Sequence, residues 1–185
     1  MPLRSSIHAF DAAVRVFVQQ AASPALTYVM RGFTLFGELP VLGALAVLVV
    51  AIFLRGGRRR EAWLFAIVMA GGEILDQVLK FGFHRARPQP FFGILAPTSY
   101  SFPSGHAMMS ACFFGMLAWL LTAREPRRGA RIAVWIAAAL LAGLIGFSRV
   151  YLGVHYATDV IAGYATAMVW VFMVAASARV PTRHA

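Results

Sequence analysis

Residues 132–178 read IAVWIAAALLAGLIGFSRVYLGVHYATDVIAGYATAMVWVFMVAASA, two long apolar runs separated by a short polar segment. The runs, residues 132–147 with their flanks and 156–178, approach the roughly 20 residues that an α-helix needs to cross hydrocarbon. The segment between them carries arginine, histidine and aspartate, which are costly inside a bilayer and mark functional sites there. This stretch therefore predicts two spanning helices joined at one membrane surface by a functional turn.

Three further apolar runs complete the predicted bundle. They cover residues 39–54, 62–83 and 104–123, and the first is short enough to need its flanks or a thinned bilayer. The chain of 185 residues is 60% hydrophobic and only 13% charged, unlike an average soluble domain. We predict an all-α, polytopic transmembrane helix bundle with about five spanning helices. A single membrane-embedded domain, residues 1–185, contains a transmembrane core at 38–179.

The N-terminal segment, residues 1–37, has a different pattern. Polar residues interrupt an apolar stripe between residues 5 and 20, which is typical of an amphipathic helix lying in the membrane interface. The interrupting residues are Asp11, Arg15, Gln19 and Gln20. Pro24 predicts the start of a second, short helix that ends near Arg31, after which Gly32 and Gly37 loosen the approach to the first span.

The net charge of +10 lies in short connections between the apolar runs. The arginines form three clusters: Arg55 with Arg58, Arg59 and Arg60; Arg124 with Arg127, Arg128 and Arg131; and Arg179 with Arg183. A nucleic-acid-binding protein would instead carry a basic stripe along one polar face, so no nucleic-acid partner is expected. Because positive loops stay in the cytoplasm, the three clusters predict a multi-pass inner-membrane protein with these connections on the cytoplasmic side.

Three polar islands lie at the opposite ends of the same runs. They are Lys80 with Arg87 and Pro88; Pro103, Ser104, Gly105 and His106; and Ser148, Arg149, His155 and Asp159. If the spanning helices alternate in direction, all three islands reach the extracytoplasmic surface. We therefore predict that they form one pocket there, although they are far apart in sequence.

The spacing of His155 and Asp159 suits nucleophilic catalysis. Residues four apart share one face of a helix, where a carboxylate can hold one ring nitrogen and leave the other free to attack. The alternative is an acid that merely favours a helix N-terminus beside an unrelated interfacial histidine.

Residues 103–106 are typical of a helix start. Ser104 is able to cap the helix, and Gly105 leaves the free backbone amides accessible to anionic oxygens. A simple capped membrane helix would explain Pro103 and Ser104, but it would not explain the costly imidazole of His106.

The cations Lys80, Arg87 and Arg149 suit a phosphoryl group, whose transition state spreads negative charge over its oxygens. The alternative for basic residues at helix ends is snorkelling to the interface, and we assign His84 and Arg85 to that class.

Two acids lie deeper in the second span. Asp76 is expected to pair with Lys80 one turn later, and Glu73 to meet a polar partner or face the cavity. For both acids a structural role is favoured over catalysis. The single cysteine, Cys112, is expected to pack in a helix.

The patterns K-x6-R-P, P-S-G-H and S-R-x5-H-x3-D, in this order, resemble the three motifs of the type 2 phosphatidic acid phosphatase superfamily. The resemblance spans Lys80 to Asp159, and no motif position departs from the pattern. It is specific, because several uncommon residues must agree in both spacing and order.

The resemblance implies a role for each matching residue. His155 would attack phosphorus and form a phosphohistidine, Asp159 would orient it, and His106 would protonate the leaving oxygen. The phosphoryl oxygens would be held by Lys80, Arg87, Arg149, Ser104 and Gly105. No metal or cofactor is implied, and the islands offer one carboxylate, too few for a hard-cation site.

The implied reaction is hydrolysis of a lipid phosphate or polyprenyl pyrophosphate at the outer membrane interface. Phosphatidate, phosphatidylglycerol phosphate and phosphorylated lipid A are further substrate candidates. A lipid phosphotransferase using the same phosphohistidine and a non-catalytic lipid transporter stay open as alternatives. A soluble haloperoxidase relative is excluded by the apolar spans, and the oligomeric state is not indicated.

Overall fold

The computed structural model describes residues 2–95 and 97–178, and the side chains of this part from Ser5 onward. Every regular element in this part of the chain is an α-helix, which confirms the predicted all-α class. The helices are α1 (Pro2–Gln20), α2 (Pro24–Phe36), α3 (Leu39–Arg55), α4 (Arg59–Phe83), α5 (Gly105–Thr122), α6 (Arg128–Tyr151) and α7 (Ala157–Ser177). The predicted third arginine cluster, Arg179 with Arg183, lies outside the described residues.

Four helices, α4 to α7, are long and apolar enough to cross a membrane. Helices α2 and α3 pass the same test only together, and they meet at a bend of 51°. Four or five spans agree with the predicted bundle, and the chain is a multi-pass membrane protein. In the structure, the short first span predicted from the sequence is α3, and it directly follows α2.

The predicted end of the second helix near Arg31 is wrong, because α2 continues through Gly32 to Phe36. One interior glycine costs a helix only about 1 kcal/mol, which is too little to end it. The break falls at Gly37, whose N–H donates to the carbonyl oxygens of Leu35 and Thr34.

Helix α5 is the centre of the bundle. It packs against α3, α4, α6 and α7, and more than half of its apolar window is buried. The other spanning helices keep large apolar side chains on the outside, for example Trp63, Ile136 and Phe172. Such an exposed apolar shell suits contact with lipid tails, which are as apolar as leucine.

Small residues allow the spanning helices to approach closely, as is usual in membrane bundles. Gly71 of α4 lies directly against the indole ring of Trp170 on α7. The ring nitrogen of Trp170 donates to the carbonyl oxygen of Val68 at 3.0 Å. The indole therefore fills a fixed position that leaves no room for a side chain at residue 71.

The arginine connections and the polar islands lie at opposite ends of the bundle. At one end, Glu61 accepts from Arg58 at 3.2 Å and from Arg124 at 3.1 Å, which joins the α3–α4 and α5–α6 connections. The α4–α5 and α6–α7 connections, with the motif residues, meet at the other end. This is the separation that alternating helices predict.

Helix α1 packs against α6 and α7 at the end that holds the polar islands. Its apolar residues Phe10 and Phe17 are exposed, whereas Asp11 is buried. Arg15 donates to the carbonyl oxygens of Gly153 at 3.1 Å and Gln89 at 2.8 Å. The helix is amphipathic as predicted, but Asp11 and Arg15 face the protein. Its position in the membrane interface stays a prediction.

Replacing Gly71 by alanine should destabilise the bundle. The added Cβ would lie 2.3 Å from the Trp170 ring, and overpacking of this kind costs about 1–3 kcal/mol. For a chain of this length the thermal midpoint in detergent should fall by about 2–4 °C per kcal/mol. Gly115→Ala on α5 is the matched control, because nothing lies within 4 Å of a Cβ there. Equal midpoints for the two variants would contradict the close α4–α7 packing.

Candidate active site

A cavity of about 200 Å³ lies where the polar islands meet. Its wall contains six of the eight predicted site residues: Lys80, Arg87, Gly105, His106, Arg149 and His155. The other two, Ser104 and Asp159, are fully buried beside it. The wall also includes Glu73 and Asp76, so the site holds more carboxylates than the motif residues alone suggest.

His155 lies in the turn between α6 and α7, where its backbone N–H donates to the Arg149 carbonyl oxygen at 3.3 Å. Its Nε2 is 2.8 Å from Nη1 of Arg87. Because a guanidinium can only donate, Nε2 must accept and Nδ1 must carry the proton. The ring therefore has the tautomer that leaves a lone pair on Nε2, the nitrogen beside the cavity cations.

The other ring nitrogen of His155 faces Asp159. Nδ1 lies 3.5 Å from Oδ2 of that carboxylate, which is long for a hydrogen bond. The predicted contact is thus present as an electrostatic approach rather than a formed hydrogen bond. Arg87 contributes to fixing the tautomer from the opposite side of the ring.

Burial, opposed by Asp159 and assisted by the charges of Arg87 and Arg149, lowers the pKa of His155 to about 4. A histidine with a pKa below the ambient pH is uncharged. At pH 7 the imidazole is therefore neutral, and its Nε2 lone pair is not protonated. This is the form that a nucleophile requires.

Asp159 occupies the first turn of α7 and is fully buried. Its Oδ2 accepts from the backbone N–H of Tyr156 at 2.9 Å and from the hydroxyl of Ser101 at 2.5 Å. Its Oδ1 accepts from Nη1 of Arg85 at 2.5 Å. The carboxylate therefore caps α7 and also faces His155, and its role in nucleophilic catalysis stays a prediction.

Each cavity cation is held by neighbouring groups. Arg87 donates from Nε to the Ser99 carbonyl oxygen at 2.7 Å and from Nη1 to that of Val154 at 2.9 Å. Arg149 donates to the hydroxyl of Thr34 on α2. Its Nε is buried and has no hydrogen-bond partner among the described residues, so this N–H can bind an anionic oxygen.

The predicted pairing of Lys80 with Asp76 is confirmed, because the ammonium donates to the carboxylate one turn earlier on α4. Because Gly105 has no side chain, both groups can approach the start of α5. A Cβ on that glycine would lie 3.1 Å from Oδ2 of Asp76 and 3.2 Å from Nζ of Lys80. Glu73 accepts from the Gln77 amide at 2.7 Å, which is the polar partner expected for it.

The start of α5 differs from its prediction in one respect. Ser104 occupies the N-cap position, but its hydroxyl makes no capping hydrogen bond. Its backbone N–H instead donates to the Asp159 carbonyl oxygen at 3.0 Å, which ties α5 to α7. The Ser104 hydroxyl and Nε2 of His106 are buried without a hydrogen-bond partner in the described part of the chain. Buried polar groups are normally paired, so both suit contact with a ligand.

Gly37, at the bend between α2 and α3, brings its backbone close to the ring of His106. A Cβ there would lie 2.7 Å from Cδ2 of that ring and 2.5 Å from Cγ2 of Ile145. The glycine therefore sets a close approach at the site, whereas the sequence suggested only a loose connection. Thr34, one turn earlier, reaches Arg149 from the same element.

The assignment of Arg85 to ordinary interfacial residues is wrong. Its guanidinium joins Asp159 to the buried Asp11 of α1, which it contacts at 2.7 Å. The one signal in the sequence was Asp11 itself, an acid within the apolar stripe of an amphipathic helix. His84 is exposed and packs on the ring of Tyr100 at 4.6 Å, as an interfacial residue would.

Comparisons with known proteins agree with the motifs. A family model described as the PAP2 superfamily matches residues 61–181. The chain is 33% identical over 171 residues to phosphatidylglycerophosphatase B of Bacillus subtilis, covering 92% of this chain and 84% of the relative. It is 38% identical over 96 residues to an undecaprenyl-diphosphatase of Sulfolobus acidocaldarius, covering 49% of this chain and 42% of the relative.

A solved structure extends the likeness to the fold. The crystal structure of a transmembrane PAP2-type phosphatidylglycerolphosphate phosphatase from Bacillus subtilis superposes with a TM-score of 0.87 at 32% identity. The match covers 97% of this chain and 90% of that one. With its motifs, bundle and cavity in agreement, the chain belongs to the PAP2 superfamily, among its membrane-embedded phosphatases.

Proposed function

We propose that the protein hydrolyses a lipid phosphate or polyprenyl pyrophosphate through a phosphohistidine on His155, without a metal. The observation that carries this proposal is the 2.8 Å contact between Nε2 of His155 and the Arg87 guanidinium on the cavity wall. That wall also holds Lys80 and Arg149. Preorganised cations of this kind stabilise the charge of a phosphoryl transition state.

In the first step, Nε2 of His155 loses its contact with Arg87 and bonds to phosphorus. A phosphate in the cavity attracts the Arg87 guanidinium, which releases the Nε2 lone pair for attack on phosphorus. The N–P bond forms as the P–O bond to the leaving group breaks, and His106, which must be protonated in the complex with the anionic substrate, donates its proton to the departing oxygen. The positive charge of the phosphorylated imidazole is stabilised by Asp159.

The second step returns the enzyme to its starting state. His106, deprotonated by the first step, accepts a proton from water as the water oxygen attacks phosphorus. The N–P bond breaks, its electron pair returns to Nε2 of His155, and inorganic phosphate is released. Gly105 lies beside Lys80, and its amide together with Ser104 holds phosphoryl oxygens in both steps.

A lipid substrate fits the position of the cavity at one end of an apolar bundle. Leu39 and Met109 add apolar surface to the wall, and exposed Phe81 and Phe83 flank the same end of α4. Aromatic side chains are enriched at the level of lipid headgroups. With the arginine connections in the cytoplasm, the cavity opens on the extracytoplasmic side, where it meets substrates of the outer leaflet.

Metal independence rests on the charge of the wall. Its three cations attract phosphate directly, and the carboxylate of Asp76 is paired with Lys80 rather than free for a metal. The Glu73 carboxylate accepts a hydrogen bond from Gln77, which makes this carboxylate a similarly poor ligand for a hard cation.

Purified protein should release inorganic phosphate from at least one member of a panel containing phosphatidate, phosphatidylglycerol phosphate, phosphorylated lipid A and undecaprenyl pyrophosphate. Release should need no acceptor lipid and should persist in EDTA, because the cations of the wall replace a metal. Phosphate production in mixed micelles is the measurement. Loss of activity in EDTA with recovery on adding Mg²⁺ would contradict metal independence, and release only when an acceptor is present would indicate a phosphotransferase.

His155→Ala should abolish the acid-labile phosphoenzyme, because no nucleophile remains. His106→Ala should still accumulate it from an aryl phosphate, whose leaving group needs little protonation. Rapid quenching with labelled substrate measures both. His84→Ala is the matched control, since that exposed histidine lies outside the cavity wall and its loss should leave the phosphoenzyme unchanged. Labelling of the His155→Ala protein at the level of the control would refute His155 as the nucleophile.

A further inference from the structure

Helix α1 carries a buried carboxylate that the mechanism above does not use. Asp11 is 1% exposed, although Phe10 beside it is exposed and the helix lies on the outside of the bundle. An ionised side chain is costly to bury unless it is paired and hydrogen-bonded. The partners of Asp11 therefore indicate what the residue does.

The hydrogen-bond partners of Asp11 among the described residues lie close to the predicted nucleophile. Its Oδ1 accepts from the backbone N–H of Thr158 at 3.0 Å, and its Oδ2 accepts from the Thr158 hydroxyl at 2.7 Å. The same Oδ2 accepts from Nη2 of Arg85 at 2.7 Å. Asp11 thus fixes both the first turn of α7 and a guanidinium.

Arg85 carries the connection onward to Asp159. Its Nη1 donates to Oδ1 of Asp159 at 2.5 Å and to the Thr158 hydroxyl at 2.8 Å, and its guanidinium stacks on the ring of Tyr156 at 4.2 Å. Two buried carboxylates therefore share one cation. The Arg85 side chain is 20% exposed, and Asp11 is the contact recorded for its second terminal nitrogen, Nη2.

We propose that Asp11 and Arg85 are positioning residues that act through Asp159 on His155, and this inference rests on the proposed function. Arg85 holds Oδ1, so the carboxylate plane is fixed with Oδ2 toward Nδ1 of His155. Asp11 keeps Arg85 in that orientation. By this account the N-terminal helix contributes one positioning residue, Asp11, to the surroundings of the site.

Asp11→Asn tests the proposal, because it keeps the size of the side chain and removes the charge that holds Arg85. The turnover number for an aryl phosphate should fall about 10- to 100-fold, as for outer partners that orient a ligating histidine. KM should stay within about twofold, because the cavity cations are untouched. Arg15→Ala is the matched control, since it removes hydrogen bonds that dock α1 without contacting Asp159. It should lower thermal stability and leave the turnover number near that of the wild type.

A double-mutant cycle separates positioning from support of the fold. If Asp11 acts through Asp159, then Asp11→Asn should cause no further loss in an Asp159→Asn background. Losses that multiply in the double variant, or an equal loss in Arg15→Ala, would overturn the proposal.

A second measurement needs no substrate and keeps the inference separate from the proposed function. In ¹⁵N-histidine-labelled protein in micelles, Nδ1 of His155 should be protonated in the wild type, and both Asp11→Asn and Asp159→Asn should shift its resonance. Shifts in both variants would support positioning even if no lipid phosphate were hydrolysed. A shift in Asp159→Asn alone would refute the role of Asp11, whatever the activity.

Discussion

The arrangement depends on holding three cations inside the end of an apolar bundle, and of these three only Lys80 forms an ion pair with a carboxylate among the described residues. Burial disfavours a charge unless polar groups replace the lost water. Arg87 meets this requirement with backbone carbonyl oxygens and a ring nitrogen, Arg149 with a threonine hydroxyl, and Lys80 with a single carboxylate. Because most of these partners are neutral, the wall keeps a positive potential. In the proposed function that potential attracts phosphate, and together with burial it keeps the His155 imidazole uncharged.

Close approach of the helices at this end of the bundle brings the side chains of the site together. Gly105 allows the Lys80–Asp76 pair to approach the start of α5, and Gly37 brings the α2–α3 bend against His106. The backbone bond from Ser104 to Asp159 fixes α5 to α7 at the level of the site. Small residues and main-chain bonds thus position the side chains, while apolar packing below them supplies the rigid frame.

Much of this could be predicted from the sequence because two strong patterns agree. The lengths of the apolar runs predict the spanning helices. The arginine connections predict which helix ends lie on the same side of the membrane, and the three islands therefore fall on one side without any knowledge of packing. The pairing of Asp76 with Lys80 followed from their spacing on one helix. The roles of Arg85 and Gly37 did not follow, because each depends on contacts with residues distant in sequence. The Ser104 hydroxyl also differs from its prediction. It makes no capping hydrogen bond to α5, although the residue is able to cap a helix, and the backbone N–H of Ser104 bonds to α7 instead.

The N-terminal third is the part in which local pattern is least informative. An amphipathic stripe predicts a helix but not which side faces the protein, and here the side with Asp11 and Arg15 packs inward. As a result, a segment expected to lie in the membrane interface also reaches the surroundings of Asp159 through Arg85.

The central claim is that His155 attacks a phosphoryl group held by the three cations. An experimental structure with orthovanadate, which resembles the transition state, tests it most directly. The account predicts vanadium bonded to Nε2 of His155, its oxygens contacted by Lys80, Arg87 and Arg149, and Arg87 displaced from the ring nitrogen. Vanadate bonded to His106, or bound outside this cavity with the Arg87–His155 contact intact, would contradict it.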